Sequence, residues 1–165
     1  MNAETFRLLK KTLKHKFFRK GVDLGCGEGF YGPLFKQHCT WLIGVDHNIP
    51  RLTVAKEFSG YDEVVHCKIQ DYIVSYDIEI VFMIESLEHL SKTEGQILLD
   101  KLNFVPYILL TTPSVFRPFG FRNGHQSLWI KEDLEQYNFE TILYNYGFPV
   151  NLLVKKGIFA VKQLK

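Results

Sequence analysis

Asp23, Gly25, Gly27 and Gly29 occupy alternate positions and carry the strongest chemical signal in the chain. Glycine at this spacing lets the backbone turn sharply and approach a ligand that any side chain would push away. A pyrophosphate-binding loop has a different pattern, Gly-x-Gly-x-x-Gly, and packs its anion against a helix start. Here an acid ends the preceding strand, where a phosphate would be repelled. The matching ligand carries a cationic amine and no phosphate. Further along, Glu85, Glu88 and His89 form a Glu-x-x-Glu-His run, and His125 stands in His125-Gln126-Ser127-Leu128-Trp129. Imidazole is poised near neutral pH, so His89 and His125 are the candidate catalytic residues, as bases or substrate contacts. Packing or capping is the competing role for both.

These residues have to be carried by alternating strands and helices. Strands are predicted at about 21–25, 41–46, 63–69, 78–84 and 105–111, with helices from Tyr31 to His38 and Pro50 to Phe58 between them. Ser91 and Glu94 form a capping box that opens a helix running to about Leu102. A helix from Lys131 to Tyr137 and strands near 140–146 and 157–163 complete the pattern, with Lys155-Lys156-Gly157 as a turn. Such alternation is the signature of a parallel sheet covered by helices. In an open parallel sheet, ligands bind beyond the carboxyl ends of the strands, where strand order reverses. Asp23, Asp46, Asp71 and Glu85 all fall at such ends and are expected to converge on one crevice.

Five ordered segments resemble the class I S-adenosylmethionine-dependent methyltransferases over roughly residues 20 to 137. Gly21 to Phe30 resembles motif I, Leu42 to Asn48 the second strand with its acid, and Lys68-Ile69-Gln70-Asp71 the end of the third. Val81 to Leu90 is similar to the fourth strand and its Glu-x-x-Glu-His-Leu turn, and Leu109 to Pro113 to the fifth. The resemblance implies an α/β, Rossmann-like class I methyltransferase fold. Its sheet would be mostly parallel and seven-stranded, with helices on both faces and an antiparallel final strand. It implies S-adenosylmethionine as cofactor, bound by Asp23, Gly25, Cys26, Gly27, Gly29, Asp46, His47, Gln70, Asp71 and Glu85. Asp46 would accept both ribose hydroxyls, since an ionised carboxylate offers two oxygens. Asp71 would take the adenine amino group, with Gln70 as its neighbouring candidate, and Asp23 would place negative charge near the methionine amino group.

The implied reaction moves a methyl group to an unidentified acceptor, a hydroxyl oxygen before nitrogen or carbon. The acceptor would be a small molecule, an RNA or a protein. A non-catalytic cofactor- or partner-binding module and an RNA-directed enzyme are the competing readings. The set Glu85, Glu88, His89 and His125 also resembles two metal-assisted branches, the ubiquinone-biosynthesis O-methyltransferases and the small-RNA 3′-terminal 2′-O-methyltransferases. Resemblance to those branches implies a divalent Mg, Mn or Zn ion. Resemblance to the many metal-independent members with the same run implies none, with Glu85 near the cofactor and His89 packing or capping. Lys92 departs from the RNA branch, which has a second histidine there.

A chain of 165 residues is expected to form one domain, residues 1–165. Its 46% apolar and 15% aromatic content supports a proper core and argues against disorder. No apolar run reaches the ~18 residues of a membrane span and no signal-like stretch follows the basic start, so a soluble, cytoplasmic protein without membrane partners is expected. Cys26, Cys39 and Cys67 show neither metal nor disulfide spacing. The net charge of +2 hides a basic first segment, where Arg7, Lys10, Lys11, Lys14, Lys16, Arg19 and Lys20 face Glu4 alone. Phe6, Leu9, Leu13 and Phe17 recur at helical spacing, so residues 1–20 are expected to form an amphipathic helix. Its basic face is either solvated or a polyanion contact. Phe116 to Gly124 interleaves aromatics with Arg117 and Arg122, a candidate acceptor-contacting loop.

Overall fold

The computed structural model describes residues 3–114, 124–146 and 155–164, and within them the chain builds one seven-stranded sheet. Helix α1 (Ala3–Leu13) is followed by β1 (Phe18–Leu24), α2 (Gly32–Lys36), β2 (Cys39–Asp46), α3 (Ile49–Phe58), β3 (Glu63–His66) and β4 (Ile80–Ile84). A 3-10 turn (Leu87–His89), α4 (Lys92–Lys101), β5 (Tyr107–Pro113), α5 (Lys131–Glu135), β6 (Glu140–Tyr146) and β7 (Lys155–Gln163) complete it. Strand order is β3-β2-β1-β4-β5-β7-β6. The pairs from β3 through β5 are parallel, whereas β7 runs antiparallel to both neighbours, with Val161 opposite Leu109 and Ile158 opposite Leu143. The expected final antiparallel strand is therefore present and lies inside the sheet.

The central strands are apolar at nearly every position because helices cover them from both sides. Successive residues of β4 show it. Ile80, Phe82 and Ile84 pack with Leu9, Phe35 and Leu52 from α1, α2 and α3, whereas Val81 and Met83 pack with Leu98 and Leu99 of α4. Phe35 stacks on Phe82 at a centroid distance of 3.7 Å. Each fully buried side chain of this size contributes about 1.5–3 kcal/mol of transfer free energy. The α4 cap forms as the sequence requires: Ser91 and Glu94 exchange side-chain-to-backbone bonds across the first turn.

Three expectations need correction. The N-terminal helix does not span 1–20; it ends at Leu13, where Lys16 N–H bonds back to the Leu13 carbonyl and His15 takes φ +66°. A left-handed residue just past the last turn stops a helix. Phe17 continues the apolar spacing but is 68% exposed, and β1 already begins at Phe18. The basic segment is also partly neutralised, since Arg7 pairs with Glu4, Arg19 with Glu79 and Lys20 with Asp77. Lys155 to Gly157 lies in strand β7 rather than in a turn. The helix expected over 31–38 is only Gly32–Lys36, with Pro33 in its first turn. Residues 115–123, which hold most of the arginine-aromatic segment, lie outside the described residues. Among the described residues no helix is long and apolar enough to cross a membrane.

Candidate functional site

Strand order reverses between β1 and β4, and the loops leaving β1, β2 and β4 diverge there to leave a cleft. It holds two adjoining cavities of about 450 Å³ and 250 Å³. The larger is lined by Asp46, His47, Ile69, Gln70, Glu85, Ser86 and His89 among others, and the smaller by Asp23, Cys26, Gly27, Phe30 and Ile84. Gly25 and Arg51 border both.

The glycine loop is shaped by its bare positions. Gly25 has φ +85°, and a Cβ there would come within 2.5 Å of Ser86 Cβ. Gly27 has φ +56° with nothing within 4 Å of a Cβ, so its missing side chain leaves open space beside the cleft. Gly29 borders neither cavity; its N–H closes the turn onto the Cys26 carbonyl at 2.9 Å. Asp46 anchors the loop from β2. Its Oδ2 accepts Gly27 N–H at 2.9 Å and its Oδ1 accepts Asn48 N–H at 2.8 Å. Each oxygen keeps a second lone pair, so the carboxylate retains acceptor capacity toward a diol.

Asp23 is buried beneath this loop. Burial pushes its carboxyl up to about 7, the Tyr61 hydroxyl donated at 2.6 Å to Oδ2 works in the opposite direction, and nearby Asp46 adds repulsion. Cys26 is buried too, and burial with Asp23 and Asp46 nearby drives its thiol well above the usual range, so it is no nucleophile. His47 is exposed at the cavity edge with Nδ1 3.5 Å from Asp46 Oδ1. Gln70 borders the cavity and donates to Glu94 at 3.4 Å, whereas Asp71 is exposed and does not border it.

The end of β4 carries the second group. Glu85 has φ +55°, a conformation costing on the order of 1–3 kcal/mol that surrounding structure must hold in place. The Thr111 hydroxyl donates to Glu85 Oε1 at 2.9 Å, and Glu85 N–H bonds the Thr111 carbonyl. Glu88 is buried, and neither carboxylate oxygen has a hydrogen-bond partner. Desolvation first, and the Glu85 charge second, hold its carboxyl far above the carboxylate range. Ser86 Oγ and Thr112 Oγ1 are buried without a well-aligned partner too, although the Thr112 hydroxyl lies close enough to Glu88 to ease its ionisation slightly. The ligand atoms of Glu88, His89 and His125 lie within 4.8 Å of one another, and the two rings meet edge to face with centroids 5.0 Å apart. Glu85 is not part of that grouping. His89 Nδ1 lies 3.1 Å from the Gly124 carbonyl, which can only accept, so Nδ1 bears a proton toward it and Nε2 is the ring nitrogen left for other contacts.

Segment 124–129 is stapled over this turn. Gln126 and Ser127 N–H both bond the Glu88 carbonyl, and the Gln126 side-chain amide donates to the His89 carbonyl at 2.8 Å. Trp129 is fully buried, donates to Ser127 Oγ at 2.9 Å, and lies under the Lys92 ammonium at 4.0 Å. Lys92 also pairs with Asp133 and donates to the Leu128 carbonyl, so it serves as a clamp where the RNA-type pattern has histidine.

The sequence matches no family model and no curated protein sequence. Solved structures do match. The N-methyltransferase NodS from Bradyrhizobium japonicum WM9, in complex with S-adenosyl-L-homocysteine, superimposes with a TM-score of 0.73 at 13% identity over 96% of this chain and 84% of that one. TehB from Haemophilus influenzae gives 0.78 at 14% identity over 96% and 62%, and the methyltransferase domain of bacterial CtHen1 gives 0.64 at 19% over 98% and 96%. The chain has the class I methyltransferase fold. On that fold the cleft lies at the usual ligand position. Sequence reasoning missed Tyr61, Ser86 and Arg51, because a tyrosine beyond α3, a serine after an acid and a helical arginine carry no spacing signal.

Proposed function

We propose that the protein is an S-adenosylmethionine-dependent methyltransferase acting on a hydroxyl acceptor. The observation carrying this reading is the open space at Gly27 in a cleft that Asp46 borders with acceptor capacity to spare. In this reading Asp46 holds the ribose hydroxyls and Gln70 the adenine edge, in preference to the outlying Asp71. His47 flanks the ribose, and Glu85 faces it from β4. Gly25, Cys26 and Gly27 line the methionine arm, with Gly29 closing their turn, and Asp23 answers the arm's ammonium. S-adenosylmethionine, when bound, supplies an activated methyl on a sulfonium. The protein's part is to align an acceptor with that carbon and exclude water, worth roughly 7–11 kcal/mol. His89 Nε2 takes the acceptor's proton, while the Gly124 carbonyl holds the ring in that tautomer.

The alternative to His89 as a base is a divalent cation held by Glu88, His89 and His125, which would occupy the same His89 Nε2. The observation favouring it is the buried carboxylate of Glu88 beside two imidazoles. A cation there would lower the pKa of an acceptor hydroxyl. Calorimetry with S-adenosyl-L-homocysteine tests the cofactor reading: binding is expected, and no heat from folded protein overturns it. A radiolabelled methyl-transfer assay on fractionated lysate, with and without chelator, tests the rest. Label on hydroxyl oxygens is expected, label on nitrogen alone removes the hydroxyl reading, and full activity under chelator removes the metal. Turnover on no fraction returns the chain to a cofactor-binding module.

A further inference from the structure

The smaller cavity is lined by two acids, Asp23 and Glu28, by glycine backbone and apolar rings, and by one cation, Arg51. Arg51 borders the larger cavity too, and so stands at their junction. Its place is fixed through Asp46: that carboxylate holds Asn48 N–H, and the Asn48 side chain accepts Arg51 N–H at 3.1 Å to cap α3. Arg7, Arg19, Lys36 and Lys92 each have a carboxylate partner, but the Arg51 guanidinium has none among the described residues.

We propose that Arg51 receives the α-carboxylate of the cofactor's methionine arm. This inference rests on the cofactor reading of the cleft. An α-amino acid is a zwitterion and needs one wall of each sign. Asp23 and Glu28 supply the negative groups, and Arg51 is the one cation lining the same cavity. Adenosine carries no anionic group, so its binding gives a cation at this junction no counter-charge. A guanidinium suits a carboxylate because it offers two parallel N–H donors, and such charge-assisted pairs are about twice as strong as neutral ones. By fixing the end of the arm, Arg51 orients the sulfur without touching the reacting carbon.

The test is a four-way calorimetric comparison. Wild type and Arg51→Met are each titrated with S-adenosyl-L-homocysteine and with its decarboxylated analogue, which keeps the amine and lacks the carboxylate. Wild type is expected to bind the carboxylated ligand about tenfold or more tightly than the analogue, and Arg51→Met to lose that preference. Arg51→Lys should recover part of it. Arg51 is exposed, so the variants are expected to melt like wild type. An equal loss for both ligands in Arg51→Met, or a preference unchanged within about threefold, overturns the carboxylate assignment and leaves the cofactor reading standing. A folded wild type that binds neither ligand overturns the cofactor reading and this inference with it.

Discussion

The two sides of the cleft treat buried polar groups in opposite ways. On the β1–β2 side every buried acid is answered: Asp46 by two backbone N–H groups and Asp23 by the Tyr61 hydroxyl. On the β4–β5 side Ser86, Glu88 and Thr112 bury oxygens that no well-aligned hydrogen bond satisfies, the Thr112 hydroxyl easing the Glu88 charge only weakly. An orphaned buried polar group costs about 1–3 kcal/mol, so a protein retains several together only where something else rewards it. The first side is organised before a ligand arrives. The second is built around atoms that a ligand would satisfy, which is why we assign it to the acceptor and any cation.

The largest test of this contrast is Asp46→Ala. It removes the proposed contacts to two ribose hydroxyls, worth about 1.5–3 kcal/mol each, so homocysteine-ligand affinity should fall by ~100-fold or more. The lost bonds to Gly27 and Asn48 N–H should lower the melting temperature. Unchanged affinity by calorimetry would break the ribose assignment. Next comes Asp23. Its carboxyl is raised from 3.8 to about 7 in the fold, so the folded state binds the proton more tightly than the unfolded chain does. The stability this contributes is complete below pH ~4 and is lost as pH rises through about 7, up to roughly 4 kcal/mol. Denaturant titrations should show that slope in wild type and a flatter profile in Asp23→Asn. Asp46 and Tyr61 face Asp23 and must be intact in both proteins. Bound S-adenosyl-L-homocysteine should also shrink the slope, because its ammonium favours the carboxylate.

Smaller effects probe the other side. A Cβ on Gly95 would stand 2.4 Å from Trp129 Cζ2, so Gly95→Ala should cost about 1–3 kcal/mol by overpacking, read as a lower thermal midpoint. Glu88→Gln should move the midpoint least. It removes a carboxyl whose ionised form the fold disfavours, so the midpoint should hold or rise by a few degrees, ~1 kcal/mol or less, while methyl transfer collapses. A midpoint that falls sharply would make Glu88 a structural acid and dissolve the contrast.

Much of the β1–β2 side was legible in the sequence because it is local. Glycine spacing reports backbone conformation, and an acid ending a strand reports its own position, so the loop and Asp46 could be placed without coordinates. The Ser91–Glu94 cap was legible for the same reason. What escaped depends on partners distant in the chain. Tyr61 meets Asp23 across the sheet, and Arg51 reaches the cleft only because α3 starts where Asp46 and Asn48 fix it. Gln70 and Asp71 are adjacent, and only the turn after β3 decides which of them borders the cavity. Phe17 misled for a different reason. Apolar spacing reports a face but not a stop, and the stop at His15 is a backbone event that this residue type does not announce.

The placement of β7 shapes how the molecule assembles. Residues 155–163 wedge between two strands made before them, so the flank of β5 stays bare until β7 has been made. A nascent chain halted short of Lys155 would carry an open, largely apolar strand edge into a crowded cell, an invitation to pair with a neighbour. The parallel half of the sheet, β3 through β5, can pair before that moment, but joining β6 to it waits for β7 to arrive.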